Sequence, residues 1–550
     1  MKLDKLESIE MKAFEIPEKI PVPDWVDSNK ISNRIFGAFC RINPELPCME
    51  DNKFIKRVFT CIKNAGGKDF ISNNPDLISF VKKDKEIQKW RNWYQEEKDK
   101  KAEYRKSHKE EIKKENAERK EKYGIAIVNG EEEPLGSWIV EPEGIFFGRG
   151  DSPLSGLWKQ AVTEEDVIVN TNSKNLPIVI KNKKETNLKN YKVEWNPEAH
   201  VAASYKISVG YPNEKGIIEK PASTIYKNIM FGASSSIKKE GQEKKYKAAS
   251  VLGEAYEKIL KQVEKDFLEK KNLSTAVAVY ILFEKGIRIG SHNPTNNGTK
   301  GLLSLKWNKD VKRIDNKIKF DFYGKDSVHD LSNIETTEDI AKIIEKVWNK
   351  DIQLNTDKSQ IEEYISKIVP ELKGIFTPKL ARTAVAAYTT KNALKMVEEK
   401  YKLTKNSSDK LKKIAFDEAV MNVARRLNHQ RGVNKNVEKK RNAKFEETKK
   451  KFLARSEKVK EQIAKKNEKL QNEKNKDKIK SLKKAIKNSK EKIKEEKLKL
   501  EAKERDQNFT ASTALNSYID SSIVFEWCDK MNLPIEKVYS KTMLKKFSKN

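Results

Sequence analysis

The chain reads as an α+β protein of several domains, and three observations predict this: its 550 residues, a turn-punctuated block of short strand-like runs set among helical segments, and a long basic stretch without glycine or proline. So many residues exceed the usual size of one domain. The strand-like block and the helical segments differ in period, which marks boundaries between them.

Residues 1–104 mix short apolar runs with Pro17, Pro21 and Pro23 and an aromatic cluster at Trp90, Trp93 and Tyr94, predicting an irregular, mostly helical N-terminal cap. From about residue 96 to 122 the charge is heavy and glycine and proline are absent, which predicts one exposed helix ahead of Gly124. Residues 105–225 form the β-rich core, with strand-like runs at Ile125 to Val128, Val167 to Val169 and Ile178 to Ile180. Residues 226–432 are mainly helical with one strand pair. There, Ser274 to Gly290 is an apolar segment stopped by glycine, and Ile318 to Phe322 alternates before Gly324-Lys325-Asp326-Ser327, so Lys325 belongs at a hairpin tip. Thr377-Pro378 signals a helix start with a capping hydroxyl, placing Arg382 early in that helix, and Gly432 is expected to close the next helix with His429 in its last turn.

Between Gly432 and Pro534 there is neither glycine nor proline, and Lys435 to Arg505 carries 28 Lys/Arg against 13 Asp/Glu. Apolar residues make a thin heptad seam of Phe445, Phe452, Val459, Ile463 and Leu470. Beyond a polar break at Asn472 to Asp477 the seam resumes with Ile479, Ile486, Ile493 and Leu500. Two such arms predict an antiparallel coiled-coil linker over 433–507, leaving 508–550 as a small helical C-terminal domain.

Lys plus Arg number 113 against 82 Asp plus Glu, an excess of 31 positive charges, so a polyanion is the expected partner. A membrane partner needs an amphipathic anchor, a lipidation signal or a span, and none is found. The charged N-terminus lacks the apolar run of a signal peptide, so an intracellular protein is expected. Four cysteines fit no disulfide framework or zinc module, and the five scattered histidines suggest no metal constellation.

Arg288, Lys325, Arg382, His429 and Tyr518 follow in that order, each in a distinctive local string: Gly-Ile-Arg-Ile-Gly, Gly-Lys-Asp-Ser, Lys-Leu-Ala-Arg-Thr, Leu-Asn-His-Gln-Arg and Asn-Ser-Tyr-Ile. Singly, each has a plain explanation: surface arginines, a turn lysine, a histidine complementing a helix end, a core-edge tyrosine. As a set in this order, and with flanks such as KYGIAIVNG, EPEGIFFGRGDSP, TEEDVIVN and WCDKMNLPIEKVYSKT, the chain resembles the eukaryotic-type type IB DNA topoisomerases from about Lys122 to Phe547. Before that the resemblance is weak.

The resemblance implies a DNA clamp with a tyrosine-recombinase-like catalytic domain. It implies that Tyr518 attacks the backbone to leave a 3′-phosphotyrosine, that Arg288, Arg382 and His429 bind the scissile phosphate, and that Lys325 protonates the departing 5′ oxygen. Neither ATP nor a metal is then required, in keeping with the absence of a GxxxxGK[ST] loop or an evident carboxylate cluster. It further implies double-stranded DNA as partner, a monomer on DNA and a nuclear location. Arg149 in the glycine-rich loop and Lys238, Lys239, Lys244 and Lys245 are expected at phosphates, and Asp326 and Ser517 near the DNA in the nick. Departures from the family pattern fall at Phe147, at Ser291-His292 and at Ser517, positions where the family carries arginine, asparagine-glutamate and asparagine. A tyrosine recombinase is the nearest enzymatic alternative. A catalytically silent basic chromatin scaffold is the alternative from another class.

Overall fold

The computed structural model describes residues 5–148, 152–181, 184–187, 191–292, 299–325, 328–431, 435–541 and 543–544. The chain falls into two compact units, Lys2–Lys244 and Lys245–Asn550.

The first unit opens with β1 (Ile9–Met11), β2 (Ala13–Ile16), α1 (Ile31–Cys40), α2 (Asn52–Asn64), α3 (Leu77–Lys83), α4 (Lys85–Ser107) and α5 (Lys109–Tyr123). It continues through β3 (Ile125–Val128), β4 (Glu131–Pro134), β5 (Gly144–Ile145), β6 (Trp158–Lys159), β7 (Val167–Asn170), β8 (Ile178–Lys181), β9 (Lys184–Asn187), β10 (Lys192–Glu194), β11 (Val201–Gly210) and β12 (Ser223–Met230). The largest sheet among the described residues has the order β10-β7-β11-β6-β5, with β12 also paired to β11.

Residues 1–104 share sheets and a core with the segments that follow them. β1 pairs antiparallel with β3, Ile9 opposite Val128, and β2 pairs parallel with β8, Ala13 opposite Ile178. Such short strands cannot satisfy their own backbone groups and must find partners elsewhere in the chain. Phe36, Phe39, Phe59 and Trp90 accordingly share one core with Val167, Val169, Ala203 and Ile207. The β-rich part does not stop at 225, since β12 pairs with β11 as far as Met230. The single helix expected over 96–122 is instead two helices meeting at His108. The Ser107 hydroxyl donates back to the Glu103 and Tyr104 carbonyls at 3.1 Å, which perturbs the turn there.

The boundary between the units falls within α6 (Ser236–Glu254). Its start is capped in the first unit by the buried Glu133, whose Oε2 accepts from the Ser236 N–H at 3.0 Å, a favourable place for a carboxylate.

The second unit contains α7 (Tyr256–Glu269), α8 (Leu273–Lys285), β13 (Val311–Ile314), β14 (Lys317–Tyr323), β15 (His329–Glu335), α9 (Glu338–Asp351), α10 (Lys358–Ile368), α11 (Pro378–Tyr401) and α12 (Asp409–Arg426). After these come α13 (Lys435–Asn472), α14 (Lys476–Arg505), α15 (Ala511–Ser517) and α16 (Ser521–Met531). α8 is apolar on every side and is buried continuously from Ala276 to Phe283, making it the central helix of this unit. β14 alternates buried and exposed residues between β13 and β15, as its period of two requires.

α13 and α14 fold back on one another. Lys449 meets Glu504 at 3.0 Å and Arg455 meets Glu496 at 3.6 Å, an antiparallel register. Phe445, Ile463 and Ile486 of the expected seam are buried, and Phe452, Val459, Leu470, Ile479, Ile493 and Leu500 are half-buried, whereas the lysine faces stay in water. The Asn475 side-chain amide oxygen Oδ1 caps α14, accepting from the N–H groups of Asp477 and Lys478 at 2.9 and 3.2 Å.

The residues after α14 return to the other helices of the second unit. Ala514, Ile519, Ile523, Val524 and Trp527 enter the same apolar core as α8, α11 and α12. The Trp527 indole N–H donates to Glu398 at 2.9 Å, and the fully buried Lys412 donates to the carbonyls of Lys405 and Asn532 at 2.8 and 3.3 Å. A buried ammonium is tolerated only when its hydrogens are spoken for in this way. No described helix is long and apolar enough to cross a membrane.

Candidate active site

Arg288 leaves α8 through Gly286, a left-handed cap with φ 64°. The extended segment that follows is tied to its neighbour: the Leu302 N–H donates to the Arg288 carbonyl at 2.8 Å, and the Leu303 N–H to that of Ile289 at 3.0 Å. Gly290 has φ +68°, and a Cβ on it would lie 2.7 Å from the Gly301 Cα, so the two strands approach closely because both residues are glycine.

Arg382 lies in the first turns of α11, where Pro378 occupies the first helical position. The Thr377 hydroxyl makes no capping bond, contrary to expectation; its carbonyl instead accepts from the Leu380 N–H at 2.7 Å. The Arg382 guanidinium is buried and donates through Nη1 to the Gly286 carbonyl and through Nη2 to the Leu427 carbonyl, the latter at 2.9 Å. One side chain thus fixes both the exit of α8 that presents Arg288 and the end of α12 that presents His429.

His429 lies two residues beyond the Leu427 cap of α12 rather than in its last turn. The Asn428 N–H donates to the Arg425 carbonyl at 3.1 Å and the His429 N–H to that of Ala424 at 2.8 Å, a Schellman closure. The left-handed residue is Asn428, with φ 52°; Gly432, expected in that role, lies outside the described residues. Asparagine tolerates this conformation better than most residues with a side chain. The chain then pairs with the segment leading into α15: Thr510 N–H donates to the His429 carbonyl at 2.9 Å, and Arg431 N–H to that of Asn508 at 2.8 Å. This short ladder closes the base of the α13–α14 hairpin and brings in Tyr518.

Tyr518 follows α15 with φ −125° and ψ −37°. Arg288 Nη2 donates to its hydroxyl at 3.2 Å, the Arg382 guanidinium carbon lies 5.4 Å from its ring centroid, and the His429 ring lies 5.1 Å away, tilted by 37°. Burial raises the phenol pKa, but the Arg382 and Arg288 charges outweigh that and hold it below its ordinary value. Burial first, then the same two arginines, pushes His429 down to about 4, so it is neutral at pH 7. Arg382 Nε and both His429 ring nitrogens are buried without any hydrogen-bond partner. Each such buried polar atom costs about 1–3 kcal/mol if nothing occupies the site.

Four of the five candidates converge in this way. Lys325 stands apart on the exposed turn between β14 and β15, which is closed by a Gly324 N–H to Val328 carbonyl bond of 2.8 Å; it makes no hydrogen bond or ion pair with the other four. Arg149 and Asp326 lie outside the described residues. Lys238 and Lys239 sit half-buried near the start of α6, and Lys244 pairs with Glu240. Ser517 is exposed at the end of α15, and its carbonyl accepts from Lys245 Nζ at 3.0 Å, so this lysine is engaged with the protein itself. Sequence reasoning missed the positioning parts: Gly301, Asn428 and the carbonyls that hold Arg382. Of these only Asn428 has a local signal, an asparagine directly after a helical run.

A phenol held below its usual pKa by two permanent cations, beside an unpartnered buried Arg382 Nε–H, is suited to act as a nucleophile next to an anion. Comparisons with known proteins identify the family. Residues 234–470 match the catalytic core of eukaryotic DNA topoisomerase I, residues 36–206 its DNA binding fragment, and residues 490–548 the C-terminal topoisomerase domain. The chain is 29% identical over 475 residues to DNA topoisomerase 1 alpha of Arabidopsis thaliana, covering 83% of this chain and 49% of that protein. It is 26% identical over 479 residues to DNA topoisomerase 1 of Drosophila melanogaster, covering 83% and 44%, and 26% identical over 466 residues to that of Homo sapiens, covering 80% and 57%. The chain belongs to the eukaryotic DNA topoisomerase I family. It spans about half the length of the curated relatives it matches, and the match to the DNA binding fragment reaches back to residue 36.

Proposed function

We propose that this chain relaxes supercoiled double-stranded DNA as a type IB topoisomerase. Tyr518 attacks a backbone phosphate to form a 3′-phosphotyrosine, one strand rotates about the other, and the freed 5′ hydroxyl reverses the attack. Arg288, Arg382 and His429 hold the non-bridging oxygens, and Lys325 on its hairpin protonates the leaving oxygen. The ester stores the energy of the broken bond, so religation needs no ATP. The observation that carries this reading is the Tyr518 hydroxyl bonded by Arg288, within a pocket where Arg382 Nε and both His429 nitrogens lack protein partners. Arg382 Nε–H and the single N–H that neutral His429 carries suit the oxygens of a phosphate. By the family likeness the chain works as a monomer in the nucleus.

Incubation with supercoiled plasmid, without ATP and with chelator present, is expected to give a ladder of relaxed topoisomers. An unchanged linking number with a retarded plasmid would point to a basic scaffold, and products only between paired sites to a recombinase.

The exposed place of Lys325 fits an acid brought to the DNA rather than one built into the pocket. For Lys325→Ala, cleavage is expected to slow by about 10²–10⁴-fold, the usual size of a general-acid contribution, and to recover on DNA with a better 5′ leaving group, which needs less protonation. Equal defects on both substrates would remove Lys325 from that role.

The α13–α14 hairpin acts as a coiled-coil linker beside the DNA downstream of the nick and retards rotation electrostatically. Its half-buried seam and basic exposed faces support this. Replacing the Lys residues between Lys474 and Lys499 by Gln is expected to weaken binding and flatten the salt dependence by about 0.9 in slope for each phosphate no longer neutralised. A slope equal to that of the unmodified protein would show that the hairpin does not meet the backbone.

A further inference from the structure

We propose that Lys245 is a positioning residue for the nucleophile, fixing the Ser517 peptide so that Tyr518 is aimed before it is joined to DNA. The proposal rests on the phosphotyrosine reading above. α15 closes abruptly: the N–H groups of Tyr518 and Ile519 both donate to the Ala514 carbonyl, at 3.0 and 2.9 Å. Chain direction then changes, because α16 restarts with Asp520 as its cap, its carboxylate accepting from the Ser522 N–H at 3.0 Å. The Ser517 carbonyl belongs to the group of acceptors that a helix end leaves without an intrahelical partner. Lys245 Nζ supplies a donor at 3.0 Å.

The peptide joining Ser517 to Tyr518 sets the direction in which the tyrosine side chain leaves the backbone. Any rocking of that peptide is amplified at the hydroxyl, the atom farthest from it. Arg288 holds the hydroxyl end and Lys245 the backbone end, so the side chain is secured at both extremities.

The surroundings of the ammonium argue that this bond is its task. It lies 4.2 Å from the Tyr246 ring centroid, partly withdrawn from water, with Lys379 and Asp520 as its charged neighbours. Burial first, then Lys379, pushes its pKa down to about 8 against the pull of Asp520. A strongly hydrated cation is not placed so at no cost, and a lysine serving only to meet a phosphate is better left in solvent. Lys379 lies three residues ahead of Arg382 on α11, so the ammonium also stands beside the helix that carries a phosphate-binding arginine.

A residue that aims an unattached nucleophile has an asymmetric signature. Before cleavage the aim of Tyr518 depends on contacts within the protein; afterwards the phosphodiester itself holds it. Loss of Lys245 therefore slows cleavage much more than religation. The test uses the full chain, a nicked duplex that traps the adduct, and saturating protein. Lys245→Met keeps the stem and removes the donors; Lys245→Arg keeps donors and charge. For Lys245→Met, cleavage of bound DNA is expected to fall about tenfold while religation of the isolated adduct changes by less than about threefold, the asymmetry that positioning produces. Duplex affinity and its salt slope are expected to be unchanged, and Lys245→Arg to restore cleavage.

Cleavage at the unmodified rate would overturn the proposal, as would equal slowing of both steps. Weaker binding with a salt slope lower by about 0.9, and normal cleavage once bound, would make Lys245 a phosphate-binding residue instead. If Lys245→Met fails to fold, Lys245→Gln, polar but too short to reach, is read in the same assays. Should the unmodified protein form no adduct at all, the phosphotyrosine reading fails rather than the role of Lys245.

Discussion

Replacing Tyr518 by phenylalanine is expected to abolish covalent adduct formation and plasmid relaxation while leaving duplex affinity unchanged. Only the attacking oxygen is removed, since the ring still packs between Arg382 and His429. Arg288 Nη2 donates to that oxygen at 3.2 Å and loses this acceptor in the variant. An ordinary phenol, with its pKa near 10, costs about 4 kcal/mol to ionise at neutral pH. The two guanidiniums at Tyr518 offset part of that cost, and that is a property of this position rather than of tyrosines in general. Residual relaxation above background in the Tyr518→Phe protein would assign the nucleophile elsewhere.

Arg382→Gln is expected to be nearly as damaging, for two separable reasons. It removes a donor and a charge aimed at the phosphate, a loss worth about 10²–10³ in rate where such donors have been deleted from preorganised sites. It also breaks the bonds to the Gly286 and Leu427 carbonyls, which loosens the segments presenting Arg288 and His429. A fall in cleavage accompanied by a lower melting temperature is the expected joint result. The pH dependence supplies a finer test. Tyr518 has its pKa lowered, so the reactive phenolate fraction rises with pH and levels off at a lower pH than an ordinary phenol would. With one cation gone, the levelling moves to higher pH. An unmoved inflection would mean that the tyrosine is not the group whose ionisation limits cleavage.

Several elements that carry the candidate residues were legible in the sequence from local signals. The alternation of Ile318 to Phe322 put Lys325 on a hairpin tip, Thr377-Pro378 put Arg382 early in a helix, and the heptad residues from Phe445 to Leu500 line the seam between α13 and α14. The convergence of Arg288 with Tyr518, 230 residues apart, came only from their order and family strings; no local period encodes it. What the sequence hid depends on partners far along the chain. β1 has three residues, too few for a period, and exists because β3 is there to receive it. Gly301 reads as a loop glycine until it faces Gly290, and Lys245 reads as one lysine in a basic run until the Ser517 carbonyl appears beside it. Burial of Arg382 is equally invisible from its neighbours in sequence, since both of its acceptors belong to the ends of other helices.

The most direct test is to map the covalent junction. A duplex that releases a short strand on cleavage traps the adduct, and proteolysis with mass spectrometry then locates the modified residue and the DNA end it carries. The expected product is a 3′-phosphate linked to the hydroxyl of Tyr518, formed without ATP and in the presence of chelator. A linkage through a 5′-phosphate, or to any residue other than Tyr518, would contradict the proposed chemistry.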